Sequence, residues 1–160
     1  MKKVTTILAA GLFTAAMSAT SYAASPDVYV VNFRNSNDVQ SQQLDAQLTT
    51  ALSIAGVNAE EVVIDTSTAA KWEKGAHEAF DRDIVPVFNQ WVGLPGFAAV
   101  VDAKTKRVIG CVNATFSANE MASEISKLAS QATGSAYMSR ASVGTKTTSC
   151  PAAHNVDPGF

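Results

Sequence analysis

The stretch Trp91-Val92-Gly93-Leu94-Pro95-Gly96-Phe97-Ala98-Ala99-Val100-Val101-Asp102 decides how the rest of the chain is read. A Leu-Pro step between two glycines runs directly into an unbroken apolar run that ends on an aspartate. Such a run, bounded by turn residues and rich in β-branched side chains, is a strand buried on both faces. Ala103-Lys104-Thr105-Lys106 then forms a turn, and Arg107-Val108-Ile109-Gly110-Cys111-Val112 a second strand, making a hairpin. After Phe116, Ser117-Ala118-Asn119-Glu120 is a capping box, in which the serine and the glutamate each satisfy a free amide at a helix start. The helix it opens runs to about Gln131 and carries Met121, Ile125, Leu128 and Ala129 on its apolar face.

Upstream, Val28-Tyr29-Val30-Val31-Asn32-Phe33 is another continuous β-branched and aromatic run, which places it centrally in a sheet. Asp38 or Ser36 caps a helix with Val39, Leu44, Leu48, Ala51, Leu52 and Ala55 at helical spacing, and Gly56 ends it. Glu61-Val62-Val63-Ile64-Asp65 is the second strand, parallel to the first through a crossover helix. Thr66, Ser67 or Thr68 caps a second helix carrying Trp72, Ala76, Ala79 and Phe80. Pro86, which lacks an amide hydrogen and clashes with the preceding turn, breaks or kinks it over Asp83-Ile84-Val85-Pro86. A short helical piece through Val87, Phe88 and Trp91 leads to Gly93. The expected class is α/β, a mixed central sheet flanked by helices in the order β-α-β-α-β-β-α.

The ends are of different composition. Lys2-Lys3, the apolar run from Ile7 to Met17 and Ser21-Tyr22-Ala23 have the plan of a secretory signal, with cleavage after Ala23 or Ala24. Three parts follow: 1–23 a signal peptide, 24–132 the folded domain, and 133–160 a Ser/Thr/Gly-rich tail. No later apolar run is long enough to span a bilayer, so no membrane insertion is expected. Without Lys2 and Lys3, ten basic residues face fourteen acidic ones, a net charge of about −4. That balance argues against nucleic acid or an anionic membrane as partner, because both require a concentrated basic face. An exported chain, periplasmic or secreted, enters an oxidising compartment, where an even pair such as Cys111 and Cys150 usually bonds.

Several stretches in this order resemble the thioredoxin-like family. Val30-Val31-Asn32-Phe33 is similar to the central strand before that family's active site, and Val63-Ile64-Asp65 to the strand after its first crossover. Leu94-Pro95-Gly96-Phe97 resembles its cis-proline turn, and Lys106-Arg107-Val108-Ile109-Gly110 its last strand. The resemblance covers roughly Val28 to Ala132, with a longer stretch than usual between Asp65 and Pro95. It implies a cis Leu94-Pro95 bond and backbone pairing with extended peptides beside that proline, an edge-strand mode of recognition. The family's Cys-x-x-Cys motif is missing. Asp38-Val39-Gln40-Ser41 stands in its place, Asp38 for the nucleophile and Ser41 for the resolving cysteine. A carboxylate there caps a helix but cannot attack a disulfide. No cysteine precedes Gly110, so dithiol chemistry at the usual site is excluded.

Other candidates remain open at this level. Cys111 and Cys150 are a structural staple, or an unorthodox redox pair, or thiols that stay unpaired or bond another chain. Cys111, Cys150, His154 and Asp157 together form a zinc-type ligand set, but their spacing matches no compact motif, and no metal or other cofactor is expected. His77, near Glu73, Glu78 and Asp81, reads as a solvated surface residue. Asn113-Ala114-Thr115 is a formal glycosylation sequon, discounted because the leader has a bacterial plan. Trp91, Val92, Leu94 and Phe97 are either core or an apolar lip. The functional expectation is an exported, redox-inactive adaptor that holds a protein or extended peptide with Asp38, Ser41, Leu94, Pro95 and Gly96 in a cell-envelope assembly. The alternatives are a thiol–disulfide oxidoreductase or isomerase using Cys111 and Cys150, and a secreted structural or effector protein.

Overall fold

A computed structural model describes residues 25–136 and 149–153. Its elements are β1 (Val28–Arg34), α1 (Val39–Ala55), β2 (Ala59–Asp65), α2 (Ala69–Asp81), α3 (Val85–Trp91), β3 (Phe97–Asp102), β4 (Val108–Asn113) and α4 (Ala118–Thr133). The strands form one mixed sheet in the order β2-β1-β3-β4. β1 runs parallel to β2, with Val31 opposite Val62, and antiparallel to β3, with Val30 opposite Val100. β3 and β4 form the hairpin, with Ala99 opposite Cys111 and an irregularity between Val100 and Val101.

Alternation along the strands divides the core. Val28, Val30, Ala98, Val100 and Val112 pack with Leu44 and Leu48 of α1 and Met121, Ile125 and Leu128 of α4. Tyr29, Val31, Phe33, Ala99, Val101 and Cys111 pack with Ala79 of α2, Ile84, and Val87, Phe88 and Trp91 of α3. Helices therefore cover both faces of β1 and β3, which explains why both strands are continuous apolar runs.

The order differs from the expected one by a helix: β2 and β3 are joined by α2 and α3, giving β-α-β-α-α-β-β-α. Asp83 takes a positive φ of 56°, which ends α2, and Pro86 sits in the first turn of α3, where its missing amide costs nothing. The break expected at 83–86 thus separates two helices. Val39, placed on the apolar face from spacing, is 74% exposed, and Phe80 is equally exposed. In α2 the residues turned inward are Gly75 and Ala79, with Gly75 against the Cα of Ile64. The small residues let the helix lie close to β2, so Trp72 and Phe80 are left at its rim. The caps agree with their sequence signals: Asp38 and Gly56 for α1, Thr68 for α2, and the Ser117–Glu120 box for α4. No helix among the described residues is long and apolar enough to cross a membrane.

Candidate functional site

β3 begins beside β1, so its entry segment meets the N-terminus of α1. The Gly96 amide donates to the Phe33 carbonyl at 2.9 Å, which ties this entry to the end of β1. A Cβ placed on Gly96 would lie 3.4 Å from Gln40 Oε1 and 3.9 Å from Asp38 Oδ2. Asp38, Pro95 and Gly96 are thus brought together. A cleft of about 460 Å³ opens here between Gln40 and Gln43 of α1, Pro95-Gly96-Phe97, and Asn113-Ala114-Thr115 at the end of β4, with Pro151 on its rim.

The entry turn is made without a cis bond. All peptide bonds among the described residues are trans, Leu94-Pro95 included, which corrects the cis-proline expectation. The change of direction comes from Gly93 and Gly96, both at φ 92°, a conformation that residues with a Cβ rarely adopt. Leu94 donates its amide to the Trp91 carbonyl at 2.9 Å, so the turn is already closed ahead of the proline. Pro95 is exposed and Leu94 half-buried.

Asp38 and Ser41 have mostly local duties. Asp38 Oδ2 accepts from the Ser41 amide at 2.7 Å and from the Ser41 hydroxyl at 2.9 Å, and the Asn35 amide donates to that hydroxyl at 3.1 Å. Ser41 is fully buried, so it shapes the loop behind the cleft and offers no atom to a partner. Beneath the cleft, Phe33 stacks on Phe97 with centroids 5.1 Å apart, and Trp91 meets both edge-on. Trp91 and Phe97 are core residues, therefore, and not a lip.

The rim is built by a disulfide. Cys111 and Cys150 are bonded to each other, which closes 39 positions of chain and rules out both as metal ligands in this state. The next residue, Pro151, accepts a hydrogen bond from the Trp91 indole at 3.0 Å. Opposite, Gln43 Nε2 donates to the Ala114 carbonyl at 3.3 Å, and Asn113 Oδ1 accepts from the Thr115 amide and hydroxyl at 3.0 and 2.7 Å. Gln43, Asn113 and Pro151 were not legible as site residues. Their convergence depends on strand register and on the disulfide, neither of which leaves a local signal. His154 and Asp157 lie outside the described residues, as do residues 1–24, where a signal peptide was expected, and most of 133–160. His77 is exposed on α2.

A second groove, of about 390 Å³, follows β2 and is of opposite character: Glu61, Asp65, Lys71, Lys74, Glu78 and Arg82 line it with Val63. Its end is a closed ionic cluster. Arg34 pairs with Asp45 at 2.8 Å and lies 3.6 Å from Asp65, and Lys71 reaches Asp65 at 3.0 Å. Burial alone would raise the Asp65 pKa, but hydrogen bonds from Ser36, Ser67 and Lys71 outweigh it and hold the carboxyl well below the usual range. These charges satisfy one another. Among the described residues, no group of three or more histidine, cysteine or acidic side chains could hold a metal ion.

No protein-family model matches this chain, and no curated protein does. Among solved structures it is similar to a glycerol dehydratase reactivase, at 17% identity and a TM-score of 0.37, over 69% of this chain and 96% of that one. At that score and identity, nothing about function passes from that protein to this one.

Proposed function

We propose that this chain is an exported, thioredoxin-like adaptor without a redox centre, which holds an extended segment of a protein partner in the cleft beside Pro95. The observation that carries this reading is the juxtaposition of an exposed Pro95 with the capped start of α1 over a cleft of about 460 Å³. A volume in that range is typical of binding pockets, and the polar groups at its edges are of the kind that fix a ligand's orientation. The β-α-β unit followed by an antiparallel hairpin and a closing helix supports the family reading. The leader-like start and the disulfide support an oxidising, extracytoplasmic location.

Thiol chemistry at Cys111 and Cys150 is the weaker reading, because an attacking thiolate needs access to a sulfur, and Cys111 is only 3% exposed and Cys150 half-buried. Nothing described favours a structural or effector role. The adaptor reading is tested by capturing partners from periplasmic extract with the tagged wild-type chain and with Pro95→Thr, then measuring the affinity of the purified partner. Pro95→Thr should keep the fold and weaken that affinity by about tenfold, some 1.4 kcal/mol. Undiminished affinity in the folded variant would contradict it.

A further inference from the structure

The two grooves differ in one property that bears on what each can take. The β2 groove is lined by six charged side chains and Val63, whereas the cleft beside Pro95 is lined by Gln40, Gln43, Pro95, Gly96, Phe97, Asn113, Ala114, Thr115 and Pro151, none of them charged. Asp38 approaches Gly96 from α1 but is not part of the cleft lining; its Oδ2 accepts from the amide and hydroxyl of Ser41, and its charge sits against the positive end of α1. Among the described residues, the cleft therefore presents side-chain amides around an apolar floor, and its lining offers no charge to a ligand.

We infer that the cleft selects an uncharged extended peptide segment, one whose backbone and amide or hydroxyl side chains meet Gln40 and Asn113 while its small apolar groups lie on Pro95 and Pro151. The physical ground is desolvation. A charged side chain entering this site would give up water without gaining a partner charge, and that penalty excludes it. An amide-bearing or hydroxyl-bearing segment exchanges its water for the carboxamides at the rim at little net cost. The Gln40 carboxamide, which lies across Gly96, is the group best placed to read the ligand. This inference rests on the cleft being the binding site at all, and the experiment separates the two.

Three sets of fluorescein-labelled peptides of equal length would be titrated against the full chain by anisotropy, at low and at high salt. One set contains only Ser, Thr, Gln, Asn, Ala and Pro; the others carry two central acidic or two central basic residues. The neutral set is expected to bind about tenfold tighter than either charged set, with affinity changing by less than about twofold between the salt conditions. Gln40→Lys, an exposed position, should raise the affinity of the acidic set and lower that of the basic set. If a charged set binds wild type more tightly and Gln40→Lys alters its affinity, the selectivity inference is overturned while the cleft stands. If neutral peptides bind but Gln40→Lys changes nothing, or if no set binds, the cleft reading falls and this inference with it.

Discussion

At Asp65 a single carboxylate joins the ends of β1, β2 and α2. The Ser36 hydroxyl donates to it at 2.6 Å, the Ser67 amide at 2.9 Å and Lys71 at 3.0 Å. Because its folded pKa lies below the unfolded value of about 3.9, the stability it supplies is fully present above that value. It is lost as pH falls toward the folded pKa. Asp65→Asn should lower stability at neutral pH by about 1–3 kcal/mol, with the gap from wild type narrowing once the pH drops below about 4. Urea unfolding at several pH values checks this, and a gap that stays constant into acid would contradict it. Asp102 behaves in the same sense. Burial raises its pKa, but the amides of Thr105 and Lys104 hold it below the usual range. Gly96→Ala is a second residue-scale test. A Cβ at φ 92° should cost about 1–2 kcal/mol, from the backbone conformation and not from the 3.4 Å contact with Gln40, read as a lowered denaturation midpoint. Asp38, Gly56 and Ser117–Glu120 were all legible because caps act over three or four residues. The Leu94-Pro95 isomer was not, since the glycines on either side already supply the turn.

At the scale of elements, β1 and β3 were read correctly because burial on both faces leaves a continuous apolar run. The rotation of α2 was misread. Spacing alone gives Trp72, Ala76, Ala79 and Phe80 as a face, yet the strand it meets selects Gly75 and Ala79 for contact. That choice belongs to packing and is not written in the periodicity of the helix. The strap at residues 149–153 could be placed only through its bond to β4. In the chain-entropy account, closing a loop of this size adds about 4 kcal/mol, and it holds Pro151 where Trp91 donates to it. Cys111→Ala/Cys150→Ala should therefore lose stability of about that size in denaturant titrations. It should also alter Trp91 emission in the native state, as the indole N–H loses its carbonyl. Unchanged native emission would mean that the strap is held independently of the disulfide.

For the molecule as a whole, a three-layer arrangement leaves, among the described residues, an ionic groove beside β2 and a neutral cleft where the starts of α1 and β3 meet the end of β4. Part of the candidate site was legible: Pro95 and Gly96 line the cleft, and Asp38 lies near Gly96. The placement of Asp38 opposite Pro95 follows from the order of elements, whereas Gln43, Asn113 and Pro151 arrive through tertiary register. The ionic groove is internally paired, with Arg82 bound to Glu60 and Glu78 and Lys71 bound to Asp65, so few of its charges are free for a ligand. The central claim is that the neutral cleft is where a partner is held. The most direct measurement is photo-crosslinking in whole cells, with a benzophenone side chain at Gln40 and, as a comparison, at Lys74 in the ionic groove. The account predicts a defined adduct from position 40, mapping by mass spectrometry to one extended, uncharged segment of one envelope protein, and none from position 74. The same adduct from position 74 with none from position 40 would contradict it.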